Sequence, residues 1–233
     1  MSPHPAPRHF ALLPAAGVGT RMGAEFPKQY LTVQGRPLLW HALRVFERHP
    51  AIARVYVVLS ADDAWWGRFA WDEFGKLTVL RCGGATRAES VRNGLAALGP
   101  SVSEQDWILV HDAARPCLTQ ALLDRLLTQL ADDPVGGLLA VPVADTLKRA
   151  GTDGRVAATV DRAGLWAAQT PQMFRYGLLL KALGRAGDAV TDEAGAVEAI
   201  GLKPRLIEGE RRNLKVTFPA DLELAARLLE REG

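Results

Sequence analysis

The apolar run Phe10-Ala11-Leu12-Leu13 leads straight into Pro14-Ala15-Ala16-Gly17-Val18-Gly19-Thr20-Arg21-Met22-Gly23. Small residues there let backbone N–H groups approach an anion closely. Arg21 follows the glycines, and Lys28 sits seven residues later in Phe26-Pro27-Lys28-Gln29-Tyr30-Leu31. Two cations beside a nest of amides suit a triphosphate. The segment is neither common phosphate cradle: G-x-x-x-x-G-K-[ST] is missing, and Met22 stands where a dinucleotide fingerprint needs its third small residue. Taken alone it also reads as a plain turn with Arg21 and Lys28 as solvated charges.

Further along, Asp112 lies just past the apolar Ile108-Leu109-Val110. A lone carboxylate at the carboxyl end of a strand can hold Mg2+ together with phosphate oxygens and water; the alternative is a residue capping the turn into Arg115-Pro116. Its neighbour His111 reads as packed rather than catalytic, since no serine or cysteine nucleophile stands in a triad setting. Gly83-Gly84 precedes a helix opened by Arg87, so its backbone can press on a flat base, with Ser90 adding a hydroxyl or merely capping the helix. Arg115, Thr146, Arg162, Thr170 and Thr191 supply guanidinium and hydroxyl donors of the kind that grip phosphates. Thr146 and Arg162 read equally as exposed hairpin residues. Lys215 alternates with Leu214 and Val216, which places it on a short strand pointing away from their buried side. Arg211 and Arg212 look like solvated loop charges.

The elements that must carry these residues follow βαβ grammar. Strands are expected at Phe10–Leu13, Val55–Leu59, Leu77–Leu80, Trp107–Val110, Leu138–Val143 and Pro204–Glu208. Helices are expected near Leu38–Arg48, Asp62–Phe69, Arg87–Leu98, Gln120–Leu130, Tyr176–Ala186, Asp192–Ile200 and Pro219–Glu230. The pattern predicts an α/β fold, a Rossmann-like and mostly parallel sheet with helices on both faces and ligands at the carboxyl ends of its strands. Between Asp145 and Asp161 polar and small residues surround Gly151-Thr152-Asp153-Gly154, which predicts a β-arm protruding from a single domain spanning 1–233.

Composition excludes several classes. The 233 residues are 48% hydrophobic, enough for one continuous core. Lys and Arg total 28 against 26 Asp and Glu, so the net +2 gives no long-range field for nucleic acid or a membrane surface, and anions must be held locally. Cys82 and Cys117 have no metal-ligand spacing, which points to a reduced, cytoplasmic setting. The Pro-rich stretch from Met1 to His9 lacks the apolar core of a signal peptide and is expected to fray.

The first loop with its Pro27-Lys28-Gln29-Tyr30-Leu31 sequel resembles the signature of the 2-C-methyl-D-erythritol 4-phosphate cytidylyltransferases. The likeness extends through Gly83-Gly84-Ala85-Thr86-Arg87-Ala88-Glu89-Ser90-Val91, His111-Asp112-Ala113-Ala114-Arg115-Pro116, Asp145-Thr146-Leu147-Lys148, Gln169-Thr170-Pro171-Gln172, Thr191-Asp192-Glu193 and Asn213-Leu214-Lys215-Val216-Thr217. It implies that Pro14, Ala15, Ala16, Gly17, Gly19, Gly83, Gly84, Ser90 and Ala113 bind CTP. It likewise implies that Arg21, Lys28 and Lys215 are catalytic, that Asp112 carries Mg2+, and that Arg115, Thr146, Arg162, Thr170 and Thr191 face the polyol phosphate. The same resemblance implies a homodimer whose arm, about 145–161, brings Thr146 and Arg162 to the partner's site.

Three other readings stay open. A ribitol-5-phosphate cytidylyltransferase resembles the chain in fold and CTP motifs but takes a linear acceptor. An idle nucleotide-binding module is disfavoured by Arg21, Lys28, Asp112 and Lys215 occurring together. A nicotinamide-dependent dehydrogenase would need an acidic residue where the second strand instead ends at Leu59-Ser60.

Overall fold

The computed structural model describes residues 6–17, 26–186 and 190–230. In chain order its elements are β1 (His9–Pro14), β2 (Thr32–Val33), β3 (Arg36–Pro37), α1 (Leu38–Arg48), β4 (Ile52–Val58), β5 (Leu77–Leu80), α2 (Arg87–Leu98), β6 (Trp107–Val110) and α3 (Gln120–Leu130). The rest are β7 (Gly136–Pro142), β8 (Leu147–Ala150), β9 (Val156–Val160), β10 (Trp166–Arg175), α4 (Tyr176–Ala186), α5 (Glu193–Ala199), β11 (Arg205–Glu208) and α6 (Pro219–Leu229).

Seven strands form one sheet in the order β11-β7-β10-β6-β1-β4-β5. Side chains alternate across a strand, so β1 feeds two cores at once. Ala11 and Leu13 join Leu39, Leu43 and Phe46 of α1 and Leu122 and Leu126 of α3. Phe10 and Leu12 join Val91 and Leu95 of α2, Leu179 and Leu183 of α4 and Val197 of α5. Helices therefore cover both faces, as the near-continuous apolar strands require. A smaller cluster of Val33, Leu38, Cys117, Val216 and Ala225 seats α6.

β1 runs parallel to β4 and β6, and β7 runs parallel to β11, but β10 is antiparallel to both β6 and β7. This strand escaped the sequence reading, because Gln169-Thr170-Pro171-Gln172 carries a proline and three polar side chains where a central strand should be apolar. The sheet accommodates it by a register break between Ala168 and Gln172. The helix expected at Asp62–Phe69 is also corrected: only a 310 turn, Trp66–Arg68, forms. Asp63 Oδ1 accepts from the N–H groups of both Trp65 and Trp66 at 2.9 Å, which caps a turn instead of extending a helix, and Gly67 weakens helicity further.

The arm is present as expected. β8 and β9 form their own antiparallel pair, closed by Gly151 N–H donating to the Arg155 carbonyl, with Gly154 at φ 75° in the turn. No described helix is long and apolar enough to cross a membrane.

Candidate active site

A cleft of about 480 Å3 opens where β1 and β6 end, within the range typical of small-molecule sites. Pro14, Ala15, Ala16 and Gly17 form one wall. Two hydrogen bonds fix that wall before any ligand arrives: Ala15 N–H donates to the Val58 carbonyl at 2.8 Å, and the Gln29 side chain donates to the Ala15 carbonyl at 2.7 Å. Gly19 and Arg21, expected in the same loop, lie outside the described residues.

The opposite wall is the entry to α2. Gly83 N–H donates to the Leu59 carbonyl at 2.8 Å, and a Cβ on Gly83 would stand 2.8 Å from that oxygen and closer still to Ala16 Cβ. Only glycine lets the two walls approach this far. Gly83 thus sits behind the cleft, while Gly84 lines it. Helix α2 is capped by Thr86, whose side chain accepts from Glu89 N–H, and not by Ser90. Ser90 Oγ instead accepts from Gly84 N–H at 3.0 Å and donates to the Thr86 carbonyl at 2.9 Å, so it shapes the loop facing the cleft.

Charge concentrates on the floor. Asp112 Oδ2 pairs with Lys215 Nζ at 2.7 Å, its Oδ1 accepts from Arg87 Nε at 2.9 Å, and Arg115 Nε lies 3.9 Å from Oδ2. Burial by itself would raise the carboxyl's pKa, yet the surrounding Arg87, Lys215 and Arg115 charges hold it well below the usual carboxylate range. Asp112 is therefore ionised at any working pH. Lys28 Nζ donates to the Val216 carbonyl at 3.3 Å, beside Lys215, so both lysines stand at one corner. Lys215 is not on a strand as expected. Residues 214–217 form an extended connection, held where Val216 N–H donates to the Ala114 carbonyl at 2.8 Å.

His111 is packed, as its sequence context suggests. Its Nε2 faces the Arg115 carbonyl at 3.1 Å, and a carbonyl only accepts, so Nε2 carries the proton. Burial pushes its pKa down to about 4, so the ring is neutral and Nδ1 accepts from the Thr170 hydroxyl at 3.0 Å. That hydroxyl in turn accepts from Asp112 N–H at 3.0 Å. The relay sets the backbone of the floor carboxylate.

Of the expected site residues, Pro14, Ala15, Ala16, Gly17, Lys28, Gly84, Ser90, Asp112, Ala113 and Lys215 line the cleft together. Arg115 and Thr170 are buried just beneath, where Arg115 donates to the Asn213 carbonyl at 2.6 Å. Thr146, Arg162 and Thr191 are exposed and do not line it. Arg212 is only partly exposed, with Nε buried, against the expectation of a solvated charge. Sequence reasoning missed Arg87 and Glu193 as site residues. Both stood inside quoted motifs, but only the fold joins them: Arg87 donates to Glu193 through Nη1 at 2.7 Å and Nη2 at 3.0 Å.

Residues 9–231 match the family described as 2-C-methyl-D-erythritol 4-phosphate cytidylyltransferase. The chain is 63% identical over 224 residues to a protein of that name from Dechloromonas aromatica, covering 96% of this chain and 98% of the relative. It is 56% identical over 227 residues to one from Thiobacillus denitrificans, covering 95% and 97%. Among solved structures it is similar to a 4-diphosphocytidyl-2C-methyl-D-erythritol synthase, with a TM-score of 0.85 at 47% identity over 96% of this chain and 99% of the other. A Francisella tularensis 2-C-methyl-D-erythritol 4-phosphate cytidylyltransferase follows at TM-score 0.82 and 33% identity, covering 95% and 99%.

Proposed function

We propose, from the premise that the chain belongs to the 2-C-methyl-D-erythritol 4-phosphate cytidylyltransferase family, that its cleft is where cytidylyl transfer occurs. The protein is a nucleotidyltransferase that moves CMP from CTP to 2-C-methyl-D-erythritol 4-phosphate, giving 4-diphosphocytidyl-2-C-methyl-D-erythritol and pyrophosphate. The observation that carries the reading is the family match over residues 9–231, which takes in every wall of the cleft.

The acceptor phosphate carries about −1.5 to −2 charge at pH 7, so its oxygen attacks the α-phosphorus without a base removing a proton. A bond forms between that oxygen and the α-phosphorus, the α–β bridging bond breaks, and pyrophosphate leaves with the electron pair. Two polyanions must meet, so the work falls to cations and amides aimed at the phosphates. Ala16 and Gly17 offer the amides, with Gly19 and Arg21 continuing the same loop in sequence. Lys28 and Lys215 offer charge from one corner. Gly83, Gly84, Ser90 and Ala113 shape a slot for the cytosine and ribose.

Asp112 fits a magnesium ion that arrives with the nucleotide. It is the carboxylate among the lining residues, it is ionised, and Mg2+ accepts sparse protein ligation completed by phosphate oxygens. Among the described residues no group of three or more His, Cys, Asp or Glu could hold a metal without such help. When bound, the ion neutralises charge developing on the phosphates.

The acceptor side needs a second copy of the chain. Thr146 and Arg162 flank the arm and are exposed, and apolar Val156, Leu165 and Trp166 are exposed on or beside it. A homodimer in which the arm crosses to its partner would bury those side chains and bring both polar residues toward the partner's cleft, with Arg115, Thr170 and Thr191 completing the acceptor's surroundings. The setting is cytoplasmic, in keeping with free thiols at Cys82 and Cys117.

Pyrophosphate release with CTP and Mg2+ tests the reading, comparing 2-C-methyl-D-erythritol 4-phosphate with D-ribitol 5-phosphate. Release with the branched acceptor, abolished by EDTA, is the expected outcome. Preference for ribitol phosphate would overturn it.

A further inference from the structure

Arg87 and Glu193 lie 106 residues apart in sequence, yet they meet at the edge of the cleft through both nitrogens of one guanidinium fork and both oxygens of one carboxylate. The Glu193 side chain is almost wholly buried, at 1% exposure, while Arg87 lines the cleft. Glu193 opens α5, and the first turn of that helix is itself tied to the central sheet. Gln172 of β10 accepts from Ala194 N–H at 2.8 Å and donates to Asp192 at 2.9 Å, and Asp192 caps α5 by accepting from Gly195 N–H. The fork is therefore bolted to the sheet. Its remaining nitrogen, Nε, donates to Asp112 Oδ1, leaving Oδ2 to Lys215.

Burial of Arg87 would by itself favour loss of its proton, but Glu193 and Asp112 more than offset this and raise its pKa, so the residue stays charged. One cation thus serves two carboxylates of different duty: Glu193 anchors it, and Asp112 is held by it. A lysine could not do this, because a point charge lacks a fork that grips one carboxylate bidentately while presenting a third donor to another.

Resting on the reading of the cleft as the transfer site, we propose that Arg87, anchored by Glu193, is a positioning residue that fixes Asp112 Oδ1 so that Oδ2 and Lys215 face the phosphates in register. Neither residue handles the nucleotide by this account; both act through Asp112. A misplacement of about 1 Å at a reacting centre costs on the order of 100-fold in rate, while binding spread over many contacts hardly changes.

The test measures kcat, the CTP dissociation constant by calorimetry, and the melting temperature for Arg87→Lys, Glu193→Gln and the double variant. Each single variant is expected to lower kcat by about 10- to 100-fold with CTP affinity within about threefold of the parent. The double variant should be no worse than the weaker single within about threefold, since the two residues act as one unit. Glu193→Gln keeps shape and removes only charge, so it carries the test should Arg87→Lys fold poorly. Losses in CTP affinity that match those in kcat, or losses that multiply in the double variant, would overturn the proposal. So would a lowered melting temperature with kcat intact. An active parent with unchanged variants rejects the proposal alone, whereas a parent that releases no pyrophosphate rejects the activity reading and the proposal with it.

Discussion

In the cleft, Asp112, Lys215, Arg87 and Glu193 answer one another within a single chain, and a buried relay through Thr170 and His111 holds the backbone beneath them. On the β8–β9 arm the opposite holds. Val156 is 64% exposed, and Leu165 and Trp166, where the chain leaves the arm, are 38% and 37% exposed. The polar contacts of the arm, such as Lys148 to Thr159 at 2.7 Å and Arg155 to Asp153 at 3.8 Å, lie in water, where ion pairs contribute about 0–1 kcal/mol. An isolated two-stranded hairpin is marginal by itself. The described walls of the cleft are held by their own hydrogen bonds and ion pairs, whereas the arm leaves apolar side chains in water.

The sharpest way to break this contrast is Lys215→Ala. It removes a cation from the phosphates and leaves Asp112 with one fewer counter-charge, so kcat/KM should fall by about 100- to 1,000-fold in a pyrophosphate-release assay. A loss below about tenfold would mean that the cleft's charges are structural.

Next in size is the pH response of the relay beneath the floor. Burial holds the pKa of His111 at about 4, below the ordinary 6.5. As pH falls through 6.5 the unfolded chain takes up a proton that the folded chain refuses, so stability declines until about pH 4. The total is about 3 kcal/mol at 1.36 kcal/mol per pKa unit. Urea unfolding midpoints between pH 7 and 4 should show that slope, and His111→Gln should flatten it. An unchanged slope in the variant would place the acid-sensitive group elsewhere.

The smallest effect belongs to the arm. Arg162→Ala should raise the acceptor's KM by about tenfold while sparing CTP. A heterodimer of Arg162→Ala with Lys215→Ala, isolated through two affinity tags, decides where that arginine acts. If the arm crosses, one of its two sites is intact and activity returns to about half of the parent's. Activity no better than the Arg162→Ala homodimer would put the arginine in its own chain's site.

Much of this molecule was legible without coordinates because its signals are local. The apolar strand at Phe10–Leu13, the small residues from Ala15 to Gly17, and the turn at Gly151–Gly154 each follow from spacing within a few residues. Illegible features were those in which a local cue was outvoted. Pro171 argued against a strand that the sheet nonetheless accepts at a register break. Helical spacing over Asp62–Phe69 lost to Asp63, which captured the N–H groups of Trp65 and Trp66. Lys215 lines the cleft but not from a strand, because alternation over three residues does not distinguish a strand from an irregular connection.

By itself the sequence determined the layered α/β architecture, the small-residue turn that follows β1 and the carboxylate at the end of β6, since hydrophobic periodicity and turn chemistry act over neighbouring residues. Tertiary structure alone decided that Arg87 should choose Glu193 and Asp112 among 26 acidic residues, and that Lys215 should come to rest on Asp112. Charge pairing has no period along the chain. Partners are selected only when the closing sheet brings distant segments within a few ångströms and removes the water that would otherwise screen them.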